Sequence, residues 1–585
     1  MTSSLIDGNS ILAVDVGAAN TRAVMFDVVE GGYRFVASGI APSTAEAPFK
    51  DVSEGVRNAI INLQAVLGKT LLDGSRDLIT PSQPNGSGVD AMVVTISAGP
   101  TIKAVLVGLL KDVSLESARR LTESTYARVV ETISLNDRRK PEQQIDSILR
   151  AQPDLIVITG GTDGGASRSI HKLLEPIGLA SFILPPEKVP AILFAGNEKI
   201  ADEIKALVGS FASALHISPN VRPSLETEDL EPAQSELARM VVNIRKRQIK
   251  GVDLLDRWSG GHLLPTAYAT GRMVRFLAKV YSAEKGLLSI DLGASAAVIS
   301  AGFKNKFTLG VYPQFGLGEN LAGLLNHTTL EDILRWSPLD ISEGVLRDYL
   351  YQKALYPSTI AATKEDLALS QAVARQALFL AMQSARRDFP RTALRIKPTL
   401  APLFDPILAG GSALSDASRP GQGLLLLLDS LQPVGVTTVI LDQNNLLPLL
   451  GAAAAQNNIL PVQVIDSGAF LSVGTVVVPV VSANYGVPIL RATLTYENGS
   501  EARVDLKYGS LESLPLSSGE TGKLEIQCLH GADVGFGHGH GGTISVTGGA
   551  LGVVFDGRGR PLNLPADAVR RRELIKKWNW TLGGE

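Results

Sequence analysis

A short turn near the start of the chain has the residue types that bind a phosphate group. It follows Asp15, the acidic end of an apolar run that begins at Ile11, and it comprises Gly17, Ala18, Ala19, Asn20, Thr21 and Arg22. Glycine and alanine let backbone N–H groups approach an anion, and the side chains of Asn20 and Thr21 add polar contacts. A carboxylate in the position of Asp15 holds a metal ion beside phosphates, usually through water. A glycine turn after an acidic strand end is also common as a purely structural feature, so this turn alone does not decide the chemistry.

The same pattern occurs a second time. Residues 287–293 match residues 11–17 in type at nearly every position, and the second turn contains Asp291, Gly293, Ala294 and Ser295. A third element is a strand that runs into Gly410, Gly411 and Ser412, where a backbone without side chains can lie flat against an adenine or a ribose. Two copies of one unit predict two related lobes whose turns clamp one phosphate chain between Asp15 and Asp291.

Another glycine-rich segment lies between a predicted strand, residues 155–159, and a predicted helix that begins near Ser167. It comprises Gly160, Gly161, Thr162, Asp163, Gly164 and Gly165. Its N–H groups and the helix dipole favour binding of an anion or contact with a partner. The alternative is a tight strand-to-helix turn in which Asp163 or Ser167 caps the helix. Both interpretations stay open.

The periodicity of apolar residues divides the chain into four predicted regions. Residues 1–112 form a first lobe that opens with the hairpin, and residues 251–465 form a second lobe that repeats it. Residues 113–250 alternate helix and strand, which predicts a small parallel α/β unit inserted within the first lobe. Residues 466–585 consist of short strands and turns closed by a basic helix, which predicts a C-terminal β domain. The predicted fold class is α/β.

The order of these motifs resembles the actin-like ATPase superfamily, in which two duplicated lobes enclose a nucleotide cleft. Five segments resemble its first phosphate motif, first connecting segment, second phosphate motif, adenosine motif and second connecting helix: residues 15–22, 91–99, 291–296, 408–413 and 446–456. The resemblance implies ATP and Mg²⁺ as cofactors, bound by the residues named above. It also implies that Asp15 and Asp291 lie next to the phosphates and hold Mg²⁺ through its water shell.

Within that superfamily the chain is similar to the glutamate mutase accessory family, often called GlmL or MutL, over residues 10 to 460. The most distinctive segment is 160–165, and residues 97–110, 194–198 and 263–266 add to it. This resemblance implies an ATP-dependent chaperone that reactivates adenosylcobalamin-dependent mutases by exchanging damaged cofactor. The implied partner is therefore a protein, a cobalamin-dependent mutase.

The chain departs from the family at the turns themselves. Ala18 and Ala19 stand where family members usually have hydroxyl residues, Arg22 replaces a frequent lysine, and the second turn is poor in glycine and threonine. Each lost hydrogen bond to a charged phosphate is worth about 1.5–3 kcal/mol. We expect nucleotide binding through the backbone, with weak ATPase activity or none. Two alternatives are a self-associating actin-like scaffold or filament, and a small-molecule kinase, which ranks last because residues 91–99 offer no carboxylate.

The composition argues against several other classes. A formal net charge of −3 with 19% charged residues gives no basic excess for nucleic acid. The longest apolar stretches are far shorter than the ~20 residues that span a bilayer. Residues 1–10 do not resemble a secretory signal, and the single cysteine, Cys528, fits a reducing compartment. The expected location is the cytoplasm.

Two features near the C-terminus have both a functional and a structural interpretation. One is a group of metal-binding side-chain types whose spacing matches no zinc motif, so a glycine-rich loop is preferred: Cys528, His530, Asp533, His538 and His540. The other is a group of basic residues between 558 and 577, which is expected to be a solvated helix or a docking surface for a partner.

Overall fold

The computed structural model of the protein describes residues 9–281, 284–415 and 419–583. Its strands are β1 (Ile11–Val16), β2 (Asn20–Val29), β3 (Gly32–Pro42), β4 (Ala91–Ile96), β5 (Ile102–Gly108), β6 (Ala127–Ser134), β7 (Leu155–Thr159), β8 (Ala191–Phe194), β9 (Ala214–Ile217), β10 (Leu263–Pro265), β11 (Gly286–Leu292), β12 (Ala297–Phe303), β13 (Lys306–Tyr312), β14 (Phe404–Gly410), β15 (Gly435–Leu441), β16 (Leu471–Val478), β17 (Pro488–Tyr496), β18 (Glu501–Lys507), β19 (Leu511–Leu514), β20 (Thr521–Cys528), β21 (Gly542–Thr547) and β22 (Val553–Asp556).

Its α-helices are α1 (Val52–Leu67), α2 (Ser114–Thr122), α3 (Pro141–Ala151), α4 (Arg168–Ile183), α5 (Ala201–Val208), α6 (Glu231–Gln248), α7 (Val252–Trp258), α8 (Thr266–Tyr281), α9 (Leu330–Leu334), α10 (Glu343–Leu355), α11 (Lys364–Ala385), α12 (Ser412–Ser415), α13 (Pro420–Leu431), α14 (Leu446–Ala453), α15 (Ile459–Asp466) and α16 (Ala568–Thr581). Short 3-10 segments lie at Pro186–Lys188, Glu198–Ile200, Pro313–Phe315 and Glu319–Asn326. None of the helices in the described ranges is long and apolar enough to cross a membrane.

The sheet of the first lobe has the strand order β10-β4-β1-β2-β3. β1, β2 and β3 form an antiparallel meander, and β4 and β10 extend the sheet in parallel with β1. Leu12 and Val14 pack in the core beneath α1, whereas Ile11 and Ala13 pack in the core that contains α8 and α14. A strand buried on both faces has to be apolar throughout, as the run before Asp15 is.

The sheet of the second lobe repeats this arrangement. Its first five strands, in the order β13-β12-β11-β14-β15, pair in the same directions as β3-β2-β1-β4-β10. The predicted duplication is therefore confirmed, and it extends from the turns to the whole sheet. Two such sheets around one cleft are the actin-like ATPase fold of two duplicated lobes.

A separate parallel sheet, β6-β5-β7-β8-β9, forms the inserted α/β unit. α2 and α6 pack in the core on one face, and α3, α4 and α5 pack in the core on the other. The sequence places the start of this unit at residue 113, but the sheet begins at Ile102. The reason is that β5 pairs with β6 and β7 and with no described strand of the first lobe.

The C-terminal region is divided between two sheets. One is a four-stranded antiparallel sheet in the order β18-β17-β20-β21. β16, β22 and β19 instead continue the sheet of the second lobe beyond β15, so the strands after the predicted boundary at 465–466 are shared between the two regions. A buried ion-pair network strengthens this junction, with Arg558 2.7 Å from Asp429 and 2.9 Å from Asp556.

Two helices cross between the lobes. α8 follows β10 and α14 follows β15, so they occupy equivalent places in the two lobes, and they pack against one another. At the crossing, a Cβ on Gly451 would lie 2.0 Å from the carbonyl oxygen of Ala269, so only glycine fits there. The second connecting helix lies where the sequence predicts it, at α14. The prediction of the first within residues 91–99 is wrong, because the inserted unit separates β4 from the connecting helix, which is α8.

Candidate nucleotide cleft

The two predicted phosphate turns close in the same way. The backbone N–H of Gly17 donates to the carbonyl oxygen of Asn20 at 3.0 Å, and that of Gly293 donates to Ala296 at 3.1 Å. The first turn requires glycine, because a Cβ on Gly17 would lie 2.6 Å from the Asn20 oxygen. The duplicated sequence therefore produces duplicated turn geometry.

At the tips of both turns, several backbone N–H groups form no hydrogen bond with a described residue. Across the described ranges, no hydrogen bond is formed by the N–H groups of four half-buried turn residues: Ala18, Ala19, Ala294 and Ser295. The Ser295 hydroxyl is also buried without a partner. A hydroxyl that is buried without a partner costs about 1–3 kcal/mol. Both turns are therefore suited to bind an anion.

The strand register decides which residues of the first turn face the cleft. Asp15 pairs with Arg22, and Val16 pairs with Thr21, so the Thr21 side chain lies on the other face of the sheet, toward α1. The prediction that this side chain contacts phosphate is therefore wrong, and only its backbone can contribute. Arg22 instead reaches the second lobe, where it donates to the carbonyl oxygen of Gln443 at 3.0 Å.

Asp15 lies at the base of the cleft and is held by three donors. The hydroxyls of Thr95 and Thr266 donate to its Oδ1 at 2.6 and 2.9 Å, and the Asn445 amide donates to its Oδ2 at 2.8 Å. Burial raises the pKa of Asp15, and the hydrogen bonds from Thr95 and Thr266 oppose that effect. The carboxylate is therefore oriented before any ligand arrives.

Asp291, the equivalent residue of the second lobe, has no hydrogen-bond donor among the described residues. Burial raises its pKa to about 7, and the charges of Asp15 and Asp442 add to the effect. Gly411, at φ +89°, lies directly against it, because a Cβ there would be 2.4 Å from Asp291 Oδ1. The close approach explains why the second predicted glycine of the Gly-Gly turn has to be glycine.

The remaining predicted residues of the Gly-Gly turn adjoin the same carboxylate. Gly410 pairs with Asp291 in the sheet, and Ser412 begins α12. Beside them Asp442 caps α14, accepting hydrogen bonds from the N–H groups of Leu446 at 2.8 Å and Leu447 at 2.7 Å. Burial raises the pKa of Asp442. An adenosine bound at Gly410 would therefore lie next to the N-terminus of α14.

Three carboxylates thus lie at the base of the cleft, those of Asp15, Asp291 and Asp442. In the part of the chain that the structure describes, no three His, Cys, Asp or Glu side chains are grouped closely enough to hold a metal ion directly. A hydrated Mg²⁺ keeps several of its waters and needs few direct protein ligands. The residues therefore fit a magnesium ion held through water by Asp15 and Asp291, as the sequence predicts.

The glycine loop of the inserted unit is separate from this cleft and satisfies most of its polar groups internally. The Asp163 carboxylate accepts from Asn220 at 2.9 Å and from the N–H of Glu198 at 3.1 Å. The N–H of Gly164 donates to the Asn197 side chain at 3.1 Å. A Cβ on Gly160 would lie 2.9 Å from Leu109. These contacts give the loop a structural role, and the expected ligand contact of Gly160, Gly161, Thr162, Asp163, Gly164 and Gly165 stays a prediction.

The histidine-rich loop near the C-terminus does not form a metal site within the described ranges. The ring of His538 packs against Gly531, where a Cβ would lie 2.4 Å from it. Asp533 is used by the backbone, accepting from the N–H groups of Gly535 and Gly537. The preferred interpretation, a glycine-rich loop, agrees with this arrangement.

Several residues of the cleft escape sequence reasoning. Thr95, Thr266, Asn445 and Asp442 are ordinary polar residues at the ends of strands or helices, with no motif around them. Tyr126 comes from the inserted unit and shares a buried hydrophobic cluster with Ala296 and Val298 of the second lobe. Their common signal is a polar residue at the edge of a buried apolar segment, which is too frequent to be specific.

Comparison with known proteins identifies one family whose model matches this chain. The model of the family described as MutL protein matches residues 11–468. The chain is 26% identical over 293 residues to Protein MutL of Clostridium tetanomorphum, a match that spans 49% of this chain and 56% of that protein. The chain therefore matches little more than half the length of this curated relative.

Solved structures give a more distant likeness. A diol dehydratase-reactivating factor in nucleotide-free form is 10% identical with a TM-score of 0.30, over 79% of this chain and 99% of that one. The ethanolamine utilization protein EutJ from Carboxydothermus hydrogenoformans is 10% identical with a TM-score of 0.27, over 77% and 91%. At such values the assignment rests on the family model, which covers well over half of the chain: the protein belongs to the MutL family.

Proposed function

We propose that this protein is an ATP-binding, chaperone-like accessory protein that reactivates an adenosylcobalamin-dependent mutase. Membership of the MutL family supports this proposal. The observation that carries it is the pair of matching turns, whose unpaired N–H groups lie beside Asp15 and Asp291. Such a pair suits a polyphosphate, because one turn from each lobe can bind it.

In this proposal the phosphates of ATP lie between the turns at residues 17–20 and 293–296, with the adenosine against Gly410 and Gly411. Asp15 and Asp291 orient the water shell of Mg²⁺, which neutralises charge on the phosphates. Burial and the charges of Asp15 and Asp442 raise the pKa of Asp291, and a bound cation would oppose both effects. The site is expected to bind ATP firmly and to hydrolyse it slowly, since alanines occupy positions 18 and 19.

Nucleotide binding would act on the partner through the relative position of the lobes. A ligand that contacts both turns favours the closed state by its differential contacts with the two states. The inserted unit would follow, because Tyr126 packs against the second lobe and Val311 donates a backbone hydrogen bond to Glu123 at 2.6 Å. We propose that this unit and the C-terminal β domain contact the mutase.

Calorimetric titration of Mg-ATP tests the cleft. We expect the wild-type protein to bind Mg-ATP and Asp15→Ala to lose the binding. Asp27→Ala is a matched control on the neighbouring strand, since Asp27 is half-buried and, among the described residues, its carboxylate accepts a hydrogen bond only from the adjacent N–H of Val28. No binding by the wild type, or equal binding by Asp15→Ala, contradicts the nucleotide site.

A second assay tests the accessory role. An adenosylcobalamin-dependent mutase is loaded with cyanocobalamin, which lacks the reactive adenosyl group, and is then mixed with this protein and Mg-ATP. We expect release of the cyanocobalamin and return of mutase activity when adenosylcobalamin is added, and neither effect with Asp15→Ala. If nothing is released while Mg-ATP makes the protein sediment as a polymer, the scaffold alternative is favoured instead.

A further inference from the structure

Arg245, near the end of α6, is one of the most deeply buried side chains of the protein, with 1% of its surface exposed. Its Nη1 donates to the carbonyl oxygen of Pro100 and to the side-chain oxygen of Gln248. Its Nη2 is buried and has no acceptor among the residues that the structure describes. The guanidinium therefore has an N–H donor that is available to a ligand, although burying such a group without a partner is unfavourable.

The other buried arginines are neutralised differently. Of the arginines that are almost fully buried in the described residues, Arg375, Arg558 and Arg560 each contact an aspartate at 2.6–2.9 Å. Arg245 forms no such ion pair with any described residue, and burial lowers its pKa to about 10. The carboxylate of Asp154 reaches it only through Gln248, whose amide donates to Asp154 at 3.2 Å, and the charge of Asp154 partly opposes the lowering of the pKa. A buried positive charge without a directly bonded counterion is costly. An anion that binds temporarily is a natural counterion for such a group.

A short loop, residues 97–99, connects the surroundings of Arg245 to the first phosphate turn. The N–H groups of Ser97 and Ala98 both donate to the carbonyl oxygen of Val16, which immediately precedes Gly17. The next residue, Gly99, lies on the guanidinium, since a Cβ there would be 2.9 Å from Arg245 Nη1. The same short loop therefore contacts the phosphate turn at one end and the arginine at the other.

Two further segments form backbone hydrogen bonds to the phosphate turns, one to each turn. Ser43 donates to Ala19 of the first turn, and Glu46 follows it in the chain. Gly318 donates to Ala294 of the second turn at 2.9 Å, and Glu319 follows it. Burial raises the pKa of Glu46, the charge of Glu319 adds to this effect and the charge of Arg245 opposes it. Arg245, on the last helix of the inserted unit, is thus joined to the first phosphate turn through the loop at residues 97–99.

We infer that Arg245 binds the terminal phosphate of the nucleotide, so that the inserted unit distinguishes ATP from ADP. This inference rests on the proposed nucleotide site and adds a residue from a different part of the fold. An arginine suits the role because its planar guanidinium can keep one hydrogen bond to Pro100 while Nη2 donates to a phosphate oxygen. The contact would pull on α6, the last helix of the inserted unit, only while the terminal phosphate is present.

The test is calorimetric titration of Mg-ATP and Mg-ADP into the wild-type protein and Arg245→Gln. We expect the variant to bind Mg-ATP about tenfold or more weakly, since it loses a charge-assisted hydrogen bond, and to bind Mg-ADP within about twofold of the wild type. Arg239→Gln is the matched control, because Arg239 is on the same helix but exposed, and it is expected to change neither affinity.

Arg245→Lys keeps the inference testable if the glutamine variant does not fold. Lysine retains the positive charge and one donor for Pro100 but lacks the second amino group, so a smaller loss confined to Mg-ATP is expected. Equal losses for the two nucleotides, or no loss for either in a folded variant, would overturn the role of Arg245 and leave the nucleotide site intact. A wild-type protein that binds neither nucleotide would overturn both.

Discussion

Replacing Asp291 with asparagine tests the electrostatics of the cleft most directly. Burial, together with the charges of Asp15 and Asp442, raises the pKa of Asp291 from 3.8 to about 7. At about 1.4 kcal/mol for each tenfold change, this corresponds to about 4 kcal/mol against the ionised form at pH 8. Because the side chain is partly exposed and water screens it, we expect Asp291→Asn to raise the free energy of unfolding by about half of that, ~2 kcal/mol.

The gain should depend on pH in one direction. Asp291 titrates near 3.8 in the unfolded chain and near 7 in the folded, nucleotide-free protein. The folded state therefore binds more protons between these values, and the wild-type protein loses stability as the pH rises through this window. The gain from asparagine is full above pH 7, shrinks as the pH falls, and vanishes below about pH 4.

Urea unfolding of the nucleotide-free protein at about pH 8 and about pH 5.5 measures this difference. We expect the gain at the lower pH to be about half of that at the higher pH. Asp112→Asn, which changes an exposed loop carboxylate, is the control and should alter stability at neither pH. A gain of the same size at both pH values, or no gain at pH 8, would refute the argument that the ionised form of Asp291 is destabilised by burial and by its charged neighbours.

Three further substitutions have definite outcomes. Gly451→Ala should lower the free energy of unfolding by about 2 kcal/mol, measured in urea, because its Cβ would lie 2.0 Å from the Ala269 oxygen. Asp556→Asn should cost about 3–5 kcal/mol in the same assay, since buried Arg560 loses its counterion and Arg558 is left with Asp429 alone. Gly411→Ala should abolish calorimetric Mg-ATP binding while the far-UV circular dichroism stays unchanged, because its Cβ would lie 2.4 Å from Asp291 Oδ1. Retained binding would mean that this turn is not part of the site.

The parts of the fold that the sequence predicts are those that depend on local patterns. The runs ending at Asp15 and Asp291 are apolar strands followed by small residues, and both the strand and the turn are encoded within seven or eight residues. The duplication could therefore be recognised by comparing two short segments. The same holds for α14, whose apolar residues stand close together in the chain.

The features of the site that the sequence does not predict depend on strand register and on residues that are far apart in the chain. Thr21 is next to Arg22, yet pairing with Val16 turns its side chain away from the cleft. Thr266 and Asn445 reach Asp15 across 251 and 430 positions of the chain. No local pattern marks either residue, since a single threonine or asparagine at the start of a helix is most often a cap.

The sequence does not define the boundaries between the regions, for a related reason. β5 lies directly after β4 and its loop, and only its pairing with β6 and β7 assigns it to the inserted unit. β16 and β22 have the alternation of a β domain but pair into the sheet of the second lobe. An apolar run shows that a strand exists, but its sheet is decided by partners elsewhere in the chain.

The hydrogen bonds of Asp15 indicate how binding in the cleft can change the relative position of the two lobes. Its three donors come from β4, from the first residue of α8 and from the residue before α14. α8 and α14 cross at Gly451, so a shift of this crossing alters the geometry around one carboxylate. The coupling has to be reciprocal: a cation that holds Asp15 in place also favours one position of the helices. In the proposed function, lobe movement and metal binding would therefore be two readouts of one equilibrium, and a substitution at the crossing should change nucleotide affinity without touching the nucleotide.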